Sequence, residues 1–195
     1  MPNRHFICTA LISRVHRLRE LIRGGFVFYG GLAGGIAGVL FSRKIHRLPV
    51  SDLLSVSVPL LPLGHAFGRI GCALAGCCYG IAYSGLGSVT YTHSVTAPNG
   101  VALFPVQISE ALCLFLLAAL LLRLFFRRKP VGILVIVYLA CYSAMRFLLE
   151  FLRGDAARGF WCGLSVSQWI SCAILFSILP GLFLIPLFRR KSSQK

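Results

Sequence analysis

Residues 131–155 read VGILVIVYLACYSAMRFLLEFLRGD, and this stretch decides the fold class. From 131 to 151 it carries no charged residue apart from Arg146 and Glu150. A helix needs about 20 consecutive, predominantly apolar residues to cross the hydrocarbon core of a bilayer. The stretch therefore predicts a transmembrane helix that holds one arginine and one glutamate inside the membrane.

The composition of the whole chain agrees with a membrane protein. Of its 195 residues, 57% are hydrophobic and 13% are charged, and the mean hydropathy is +0.81. A formal net charge of +15 would suggest nucleic-acid binding in a soluble domain, but such a domain needs more charged surface than this chain has. We therefore expect no nucleic-acid partner and no soluble catalytic domain.

Membrane-length apolar stretches occur at five places along the chain. They cover residues 26–42, 53–80, 104–125, 131–151 and 166–188. Pro59 and Pro62 interrupt the second stretch, a feature that membrane helices tolerate where they pack on protein or line a cavity. The pattern predicts an all-α fold, a polytopic integral membrane helix bundle of about five transmembrane helices.

The positions of lysine and arginine predict the orientation of the spans. Basic residues follow the first, third and fifth stretches, whereas the loop of residues 81–100 has no charged residue. Because basic residues accumulate on the cytoplasmic side, those three span ends and the basic tail of residues 189–195 should be cytoplasmic. The membrane domain itself is expected over residues 23–188.

Residues 1–22 do not fit this orientation. They carry Arg4, Arg14, Arg17 and Arg19 at an end that the rule would place outside. We interpret them as a basic amphipathic segment on the membrane surface or as a non-native N-terminal segment. After them, glycines at 30, 34 and 38 recur every four residues, which indicates close helix packing.

Charged residues inside membrane spans are costly and are candidates for function. His65 and Arg69 are four residues apart, as are Arg146 and Glu150, so each pair shares a helix face. Two guanidinium groups can thus reach one cavity, where their fixed donors suit a phosphate. A phospholipid headgroup is the expected ligand. The alternative is that Arg146 and Glu150 are only a neutralising pair.

For several other side chains, the sequence allows either a chemical or a structural role. His65 is either a general base or a hydrogen-bonding group between spans, and Tyr29 is either a hydrogen-bond donor or a packing aromatic. Glu110 is a further charge inside a span, and Arg153 is either a ligand or an interfacial arginine. The spacing of Cys72, Cys77 and Cys78 lacks the paired C-x2-C elements of common zinc sites, which favours packing over a metal or redox site.

Five segments together resemble the prolipoprotein diacylglyceryl transferase family. They are GGFVFYGGLAGG (24–35), PLGHAFGRIGCALAGCCYG (62–80), FPVQISEAL (104–112), RFLLEFLRGD (146–155) and SVSQWIS (165–171). The resemblance implies a bacterial plasma-membrane enzyme with several spans. Such an enzyme moves the diacylglyceryl group of phosphatidylglycerol onto the lipobox cysteine of a preprolipoprotein and releases glycerol phosphate. Its expected partners are phosphatidylglycerol, lipobox peptides and the lipid bilayer.

The resemblance also implies roles for particular residues. Arg69 and Arg146 match the two essential arginines of the family, Glu150 matches its carboxylate and Gly80 ends its signature. These four, with His65 and Tyr29 as catalytic candidates and Arg153 as a further phosphatidylglycerol ligand, form the predicted site. Neither a cofactor nor a metal is expected, because a thiol can displace a phosphate ester without one.

The sequence departs from the family pattern in three places. Tyr29 stands where many members have histidine, Cys72 where they have asparagine, and Cys77 where they have glutamate. The two spans that usually precede the glycine segment are also missing, which suggests a shortened, divergent member. A non-catalytic or phospholipid-binding membrane protein of the same fold is therefore the main alternative, and a thiol-redox membrane protein ranks below it.

Overall fold

The computed structural model describes residues 34–35, 37–45, 47, 49–155 and 160–178. Three of its helices are long and apolar enough to cross a membrane. They are α1 (Val50–Ala75), α2 (Val106–Phe126) and α3 (Val131–Glu150), and a shorter apolar helix, α4, covers Val166–Ile178. Residues 34–35 and 37–45 are also helical. The all-α membrane fold predicted from the sequence is thus confirmed.

The predicted spans at 53–80, 104–125 and 131–151 correspond to α1, α2 and α3. The predicted spans at 26–42 and 166–188 lie partly outside the described residues, and residues 1–33 and 179–195 lie wholly outside them. The helical residues 34–35 and 37–45 and α4 agree with the parts of those two spans that the structure covers.

Pro59 and Pro62 do not interrupt α1. The helix runs without a break through both prolines, whose side chains are buried. A proline removes one backbone donor from the helical ladder, but packing and local adjustment can compensate for this loss inside a membrane protein. The predicted interruption is therefore wrong. The helix ends at Ala75, five residues before Gly80, where the predicted span ends.

The C-terminus of α1 closes in a Schellman motif. The amide of Cys77 donates to the carbonyl of Cys72 at 3.1 Å, and the amide of Gly76 donates to the carbonyl of Ala73 at 3.3 Å. Gly76 takes the left-handed conformation that this motif requires, with φ of 68°. The hydroxyl of Tyr91 also donates to Ala73 at 2.9 Å. These bonds satisfy carbonyls that the end of a helix leaves without partners.

Residues 76–105, which we call the head, join α1 to α2. In the head, β1 (Val89–Thr90) pairs with β2 (Ala102–Leu103) in an antiparallel arrangement. The backbone of residues 79–83 lies between two other segments: it bonds to residues 102–104 on one side and to residues 152–154 on the other. A second short hairpin, β3 (Phe160–Trp161) with β4 (Leu164–Ser165), precedes α4.

Two glycines allow the head to approach the end of α3. A Cβ atom built on Gly80 would overlap the carbonyl oxygen of Phe104, and one built on Gly154 would overlap the carbonyl oxygen of Gly80. The backbones pair at this point, because Gly154 donates its amide to Tyr79 at 3.0 Å. Glycine is required at both positions for the close approach of the backbones.

The core lies between α2 and α3. On α2, the buried face recurs at helical spacing through Gln107, Glu110, Leu114, Leu117 and Leu121, as expected for one side of a helix. Leu117 and Leu121 join Val58 of α1 and Leu134 of α3 in an apolar cluster. The first turns of α2 thus carry the buried polar residues, and its later turns carry the apolar core.

Candidate active site

Ionisable side chains from three helices meet at the end of the bundle nearest the head. Arg69 lies six residues before the end of α1, Glu110 lies in the second turn of α2, and Glu150 is the last residue of α3. Six residues of helix span about 9 Å. The charges thus lie inside the membrane-spanning helices but close to the head.

Arg69 pairs with Glu110 of α2. Its Nη2 atom lies 3.0 Å from Oε1 of the glutamate, whose side chain is only 1% exposed. Glu110 was singled out as a charge within a span, but the sequence does not predict its partner. No carboxylate lies within a helical turn of Arg69 along α1, and α2 supplies one instead.

Arg146 pairs with Glu150 one turn further along α3. Its Nη1 atom lies 2.7 Å from Oε2 of Glu150, and the two side chains are 9% and 5% exposed. Nη2 of Arg146 donates to the hydroxyl of Ser167 at 3.3 Å. The spacing of four residues predicts this pair correctly, and α4 adds a hydrogen-bond acceptor from SVSQWIS.

His65 faces the same group of charges. Its ring lies 5.5 Å from the ring of Tyr142, measured between centroids, with an interplanar angle of 45°. The charges of Arg69, Glu110 and Arg146 all act on this imidazole. His65 therefore lies within electrostatic reach of both arginines and of Glu110. Tyr142 is a lining residue that sequence reasoning missed, although it stands four residues before Arg146.

Five buried side-chain atoms have no hydrogen-bond partner in the part of the chain that the structure describes. Oε1 of Glu110, Nη1 of Arg146 and Oε2 of Glu150 are held in the ion pairs, whereas Nε of Arg69 and Oγ of Ser143 are not. Buried donors are normally satisfied, because a lone polar group in a low-dielectric interior costs about 1–3 kcal/mol. An anionic oxygen bound at Arg69 would satisfy its Nε donor.

Arg153 lies just after α3 and is held by Asp155. Two bonds join its guanidinium to the carboxylate, from Nε at 3.0 Å and from Nη2 at 2.9 Å. Burial alone would lower the pKa of Arg153, but the hydrogen bonds and charge of Asp155 raise it above its ordinary value. Its backbone pairs with Gly80. Gly80 of the head and Arg153 of the segment after α3 thus lie side by side where the two backbones pair.

The three cysteines after Arg69 come together in space. The Sγ atoms of Cys72, Cys77 and Cys78 all lie within 4.8 Å of one another, and each residue is half-buried. No disulfide joins cysteines in the part of the chain that the structure describes. Burial, with the neighbouring thiols of Cys72 and Cys78, raises the pKa of Cys77 to about 12. Because thiolates are the nucleophiles in exchange reactions, this disfavours the thiol-redox alternative.

The structure thus brings together most of the predicted site. His65, Arg69, Arg146 and Glu150 lie in one electrostatic cluster, and Arg153 also acts on Arg146. Gly80 lies beside Arg153 in the backbone rather than among these side chains. Tyr29 lies outside the described residues. Glu110, singled out from the sequence as a charge inside a span, joins them through Arg69. Tyr142 and Ser167 are additional members: the spacing of Tyr142 from Arg146 could have indicated the first, whereas the contact of Ser167 with Arg146 joins two helices and has no local signal.

Comparisons with a family model and with known proteins identify the same family. A family model described as prolipoprotein diacylglyceryl transferase matches residues 6–185. A phosphatidylglycerol–prolipoprotein diacylglyceryl transferase of Clostridium tetani is 40% identical over 179 residues, which are 92% of this chain and 70% of the relative.

Two further relatives carry similar names. The one named phosphatidylglycerol–prolipoprotein diacylglyceryl transferase 2, from Clostridium perfringens, is 37% identical over 88% of this chain and 65% of its own length. One from Dehalococcoides mccartyi is 36% identical over the same shares. This chain therefore spans about two thirds of the length of these relatives. The matched residues include the arginine–carboxylate pairs and the head, and the chain belongs to the prolipoprotein diacylglyceryl transferase family.

Proposed function

We propose that this protein transfers the diacylglyceryl group of phosphatidylglycerol to the lipobox cysteine thiol of bacterial preprolipoproteins. The observation that carries the proposal is the presence of two buried arginine–carboxylate pairs, Arg69–Glu110 and Arg146–Glu150, close to the head. In the reaction, the acceptor sulfur forms a bond to a glycerol carbon of the lipid. The bond from that carbon to the phosphate oxygen breaks, and glycerol phosphate leaves.

Arg146 is the proposed ligand of the lipid phosphate, and Arg69 the group that stabilises charge on the departing oxygen. The unpartnered, buried Nε of Arg69 supports this role, because a phosphate oxygen would satisfy it. Glu110 and Glu150 would hold the two guanidinium groups in place and leave their other donors for the ligand. Fixed donors aimed at a developing negative charge lower the barrier without reorganisation.

His65 is the proposed acceptor of the proton that the acceptor thiol loses. Its closeness to both arginines supports the role, because a thiolate that forms next to two cations is stabilised. Tyr29 is a proposed hydrogen-bond donor to the phosphate or the leaving oxygen. Gly80 and Arg153 are proposed to form the edge of the phosphatidylglycerol site, with Asp155 holding the Arg153 guanidinium in one orientation.

The protein is a membrane protein, and we propose a multi-pass orientation in the bacterial plasma membrane. Basic residues follow α2 and the last predicted span, whereas residues 81–100 in the head lack charge. The C-terminus would therefore be cytoplasmic and the head external. This orientation places the proposed site at the outer side, where an exported preprolipoprotein and phosphatidylglycerol would meet.

Transfer of labelled diacylglycerol to a lipobox peptide tests the proposal. The full chain is reconstituted in vesicles that contain phosphatidylglycerol, and the Arg69→Ala and Arg146→Ala variants are compared with Arg123→Ala, an exposed arginine of α2. We expect transfer by the unaltered chain and by Arg123→Ala, and a loss of about 10²–10³-fold in the two site variants. Equal transfer by all four proteins would contradict the mechanism.

The same experiment distinguishes the alternative of a non-catalytic phospholipid-binding protein. That alternative is favoured by the presence of Tyr29, Cys72 and Cys77 at positions where the family pattern differs. It predicts binding of phosphatidylglycerol that depends on Arg69 and Arg146, with no product formed by the unaltered chain. Binding is measured by the labelled lipid that is retained on the purified protein after exchange into neutral-lipid vesicles.

A further inference from the structure

We propose that Cys72, Cys77 and Cys78 form a binding site for a soft, thiophilic cation, for which Cu(I) is the appropriate probe. The proposal does not depend on diacylglyceryl transfer. It rests on the geometry of the turn after α1, on the chemistry of the three side chains and on the position of Arg153.

The Schellman motif explains why Cys72 and Cys77 meet although five residues separate them. In this motif the residue after the left-handed glycine contacts the residue three positions before the helix cap. Here these two residues are Cys77 and Cys72, joined by the backbone bond of 3.1 Å. The Sγ atom of Cys77 also lies 3.7 Å from the carbonyl oxygen of Cys72. The capping of the helix thus places two sulfur atoms side by side.

Cys78 joins them through an unusual backbone conformation. Its φ of 55° lies in the left-handed region, which few residues other than glycine adopt. Such a conformation persists only where the surrounding structure holds it, and it often marks a functional position. The hydrogen bond from Gln107 Nε2 to the carbonyl of Cys77 at 2.9 Å fixes the preceding residue. The third sulfur therefore lies beside the other two.

The distances suit a single ion with three sulfur ligands. An ion about 2.3 Å from each of three sulfur atoms holds those atoms about 4 Å apart. The three Sγ atoms already lie within 4.8 Å of one another, so binding needs only a small closure of the group. Each side chain is half-buried rather than fully buried, which leaves a route for the ion to enter.

The ligand set selects the kind of cation. Within the described ranges, no histidine or carboxylate belongs to this group of sulfur atoms. Thiolates alone favour soft ions such as Cu(I), whereas Mg²⁺, Ca²⁺ and Mn²⁺ prefer oxygen. Structural zinc sites take four ligands, and three sulfur atoms therefore fit Cu(I) better than zinc.

Arg153 supplies a compensating charge. Its guanidinium interacts with the thiol of Cys78, and the side chain is only 3% exposed. A monovalent ion held by two or three thiolates carries excess negative charge, which Arg153 would offset in part, since its guanidinium also pairs with Asp155. Each cysteine that binds the ion releases its thiol proton to solvent, and a sulfur–metal bond takes its place without any change in oxidation state.

The test uses a chain that keeps only the proposed ligands. The eight cysteines of the chain are reduced to three by replacing Cys8, Cys113, Cys141, Cys162 and Cys172 with alanine. This three-cysteine chain is compared with a cysteine-free chain in which Cys72, Cys77 and Cys78 are serine as well. Both full-length proteins are reconstituted anaerobically and titrated with Cu(I) in competition with bathocuproine disulfonate.

We expect the three-cysteine chain to retain one copper at chelator concentrations that strip the cysteine-free chain. In the otherwise unaltered protein, Cys77→Ser should weaken copper binding at least about tenfold. Losing even a group that only orients a metal ligand lowers metal affinity about 10–100-fold. The matched control, Cys141→Ser on α3, should leave the cluster site unchanged. X-ray absorption on the three-cysteine chain should give a sulfur-only environment with three ligands.

Equal loss of copper from the three-cysteine and cysteine-free chains would overturn the proposal. Nitrogen or oxygen ligands in the absorption spectrum of the three-cysteine chain would also overturn it. This result does not depend on whether the serine variants fold. Retention of Zn(II) in preference to Cu(I) by the three-cysteine chain would contradict the assignment of a three-coordinate soft-metal site.

Discussion

Glu110 on α2 and Arg69 on α1 form an ion pair between helices, with 3.0 Å between the carboxylate Oε1 and the guanidinium Nη2. The glutamate is almost completely buried. Burying a charge without a partner costs free energy, and each member of the pair offsets the cost of burying the other. The pair also joins the helix before the head to the helix after it.

The Glu110→Ala variant should destabilise the protein strongly. It leaves Arg69 without its carboxylate in a largely buried position, and removal of one partner from a buried ion pair costs about 3–5 kcal/mol. The expected result is a clear drop in the thermal unfolding midpoint of the purified protein in detergent, measured by the loss of helical circular dichroism.

Two variants serve as controls for this prediction. Ile108→Ala changes an exposed residue of the same helix and should shift the midpoint little. The double variant Arg69→Met/Glu110→Leu removes both charges and should recover most of the lost stability, since apolar pairs often replace buried ion pairs without cost. A Glu110→Ala protein as stable as the unaltered chain would show that the pair has no structural role.

Replacement of Gly80 by alanine should disrupt the junction of the head with α3. The new Cβ atom would overlap the carbonyl oxygen of Phe104, so the paired backbones would have to separate. We expect a lower unfolding midpoint and faster proteolysis of the head, together with loss of transfer. Gly132→Ala is the matched control, because nothing lies within 4 Å of its built Cβ and alanine favours a helix by about 1 kcal/mol.

The outcome also decides how Gly80 contributes to the site. If Gly80→Ala lost transfer but kept full stability and protease resistance, Gly80 would act by contacting the substrate directly. We expect instead that Gly80→Ala loses stability and protease resistance together with transfer, because the backbone of Gly80 is paired with Arg153.

The parts of the fold that depend on local periodicity can be predicted from the sequence. The apolar stretches predict α1, α2 and α3, and the spacing of four residues predicts the Arg146–Glu150 pair. The pairing of Arg69 with Glu110 could not be predicted in this way, because helical spacing describes neighbours on one helix. Their contact depends on how the head returns the chain to pack α2 beside α1.

The cysteine cluster illustrates a second limit. The metal-site spacings used for sequence reading describe paired C-x2-C elements, and Cys72 and Cys77 do not match them. Their sulfur atoms meet because Gly76 closes a Schellman motif, which is a property of backbone geometry. The two-residue strands of the head were missed for a similar reason: they are too short for an alternating pattern.

Alkylation of Cys77 should depend on pH in a distinctive way. Its pKa is raised to about 12 by burial and by the neighbouring thiols, so the reactive thiolate is scarce at neutral pH and its fraction increases as pH rises towards that value. In the metal-free protein, the rate of iodoacetamide modification should keep rising between pH 7 and pH 10 without a plateau. Peptide mass spectrometry gives the rate for each cysteine.

A cysteine-containing model peptide in the same sample provides the comparison. An unperturbed thiol has a pKa of about 8.5, so modification of the peptide should approach a plateau within this range. A plateau for Cys77 near pH 9 would show that its thiol is not perturbed.

Replacement of His65 should abolish transfer while leaving the lipid site intact. If the imidazole accepts the proton of the acceptor thiol, His65→Ala and His65→Gln should both lose transfer by about 10²–10⁴-fold, the usual contribution of a general base. Binding of phosphatidylglycerol should persist, because Arg69 and Arg146 remain. His93→Ala, an exposed histidine of the head, is the matched control and should transfer normally. A His65→Ala protein that still transfers lipid to the lipobox peptide would exclude His65 as the base, and Glu110, the carboxylate whose charge acts on that imidazole, would be the next residue to test.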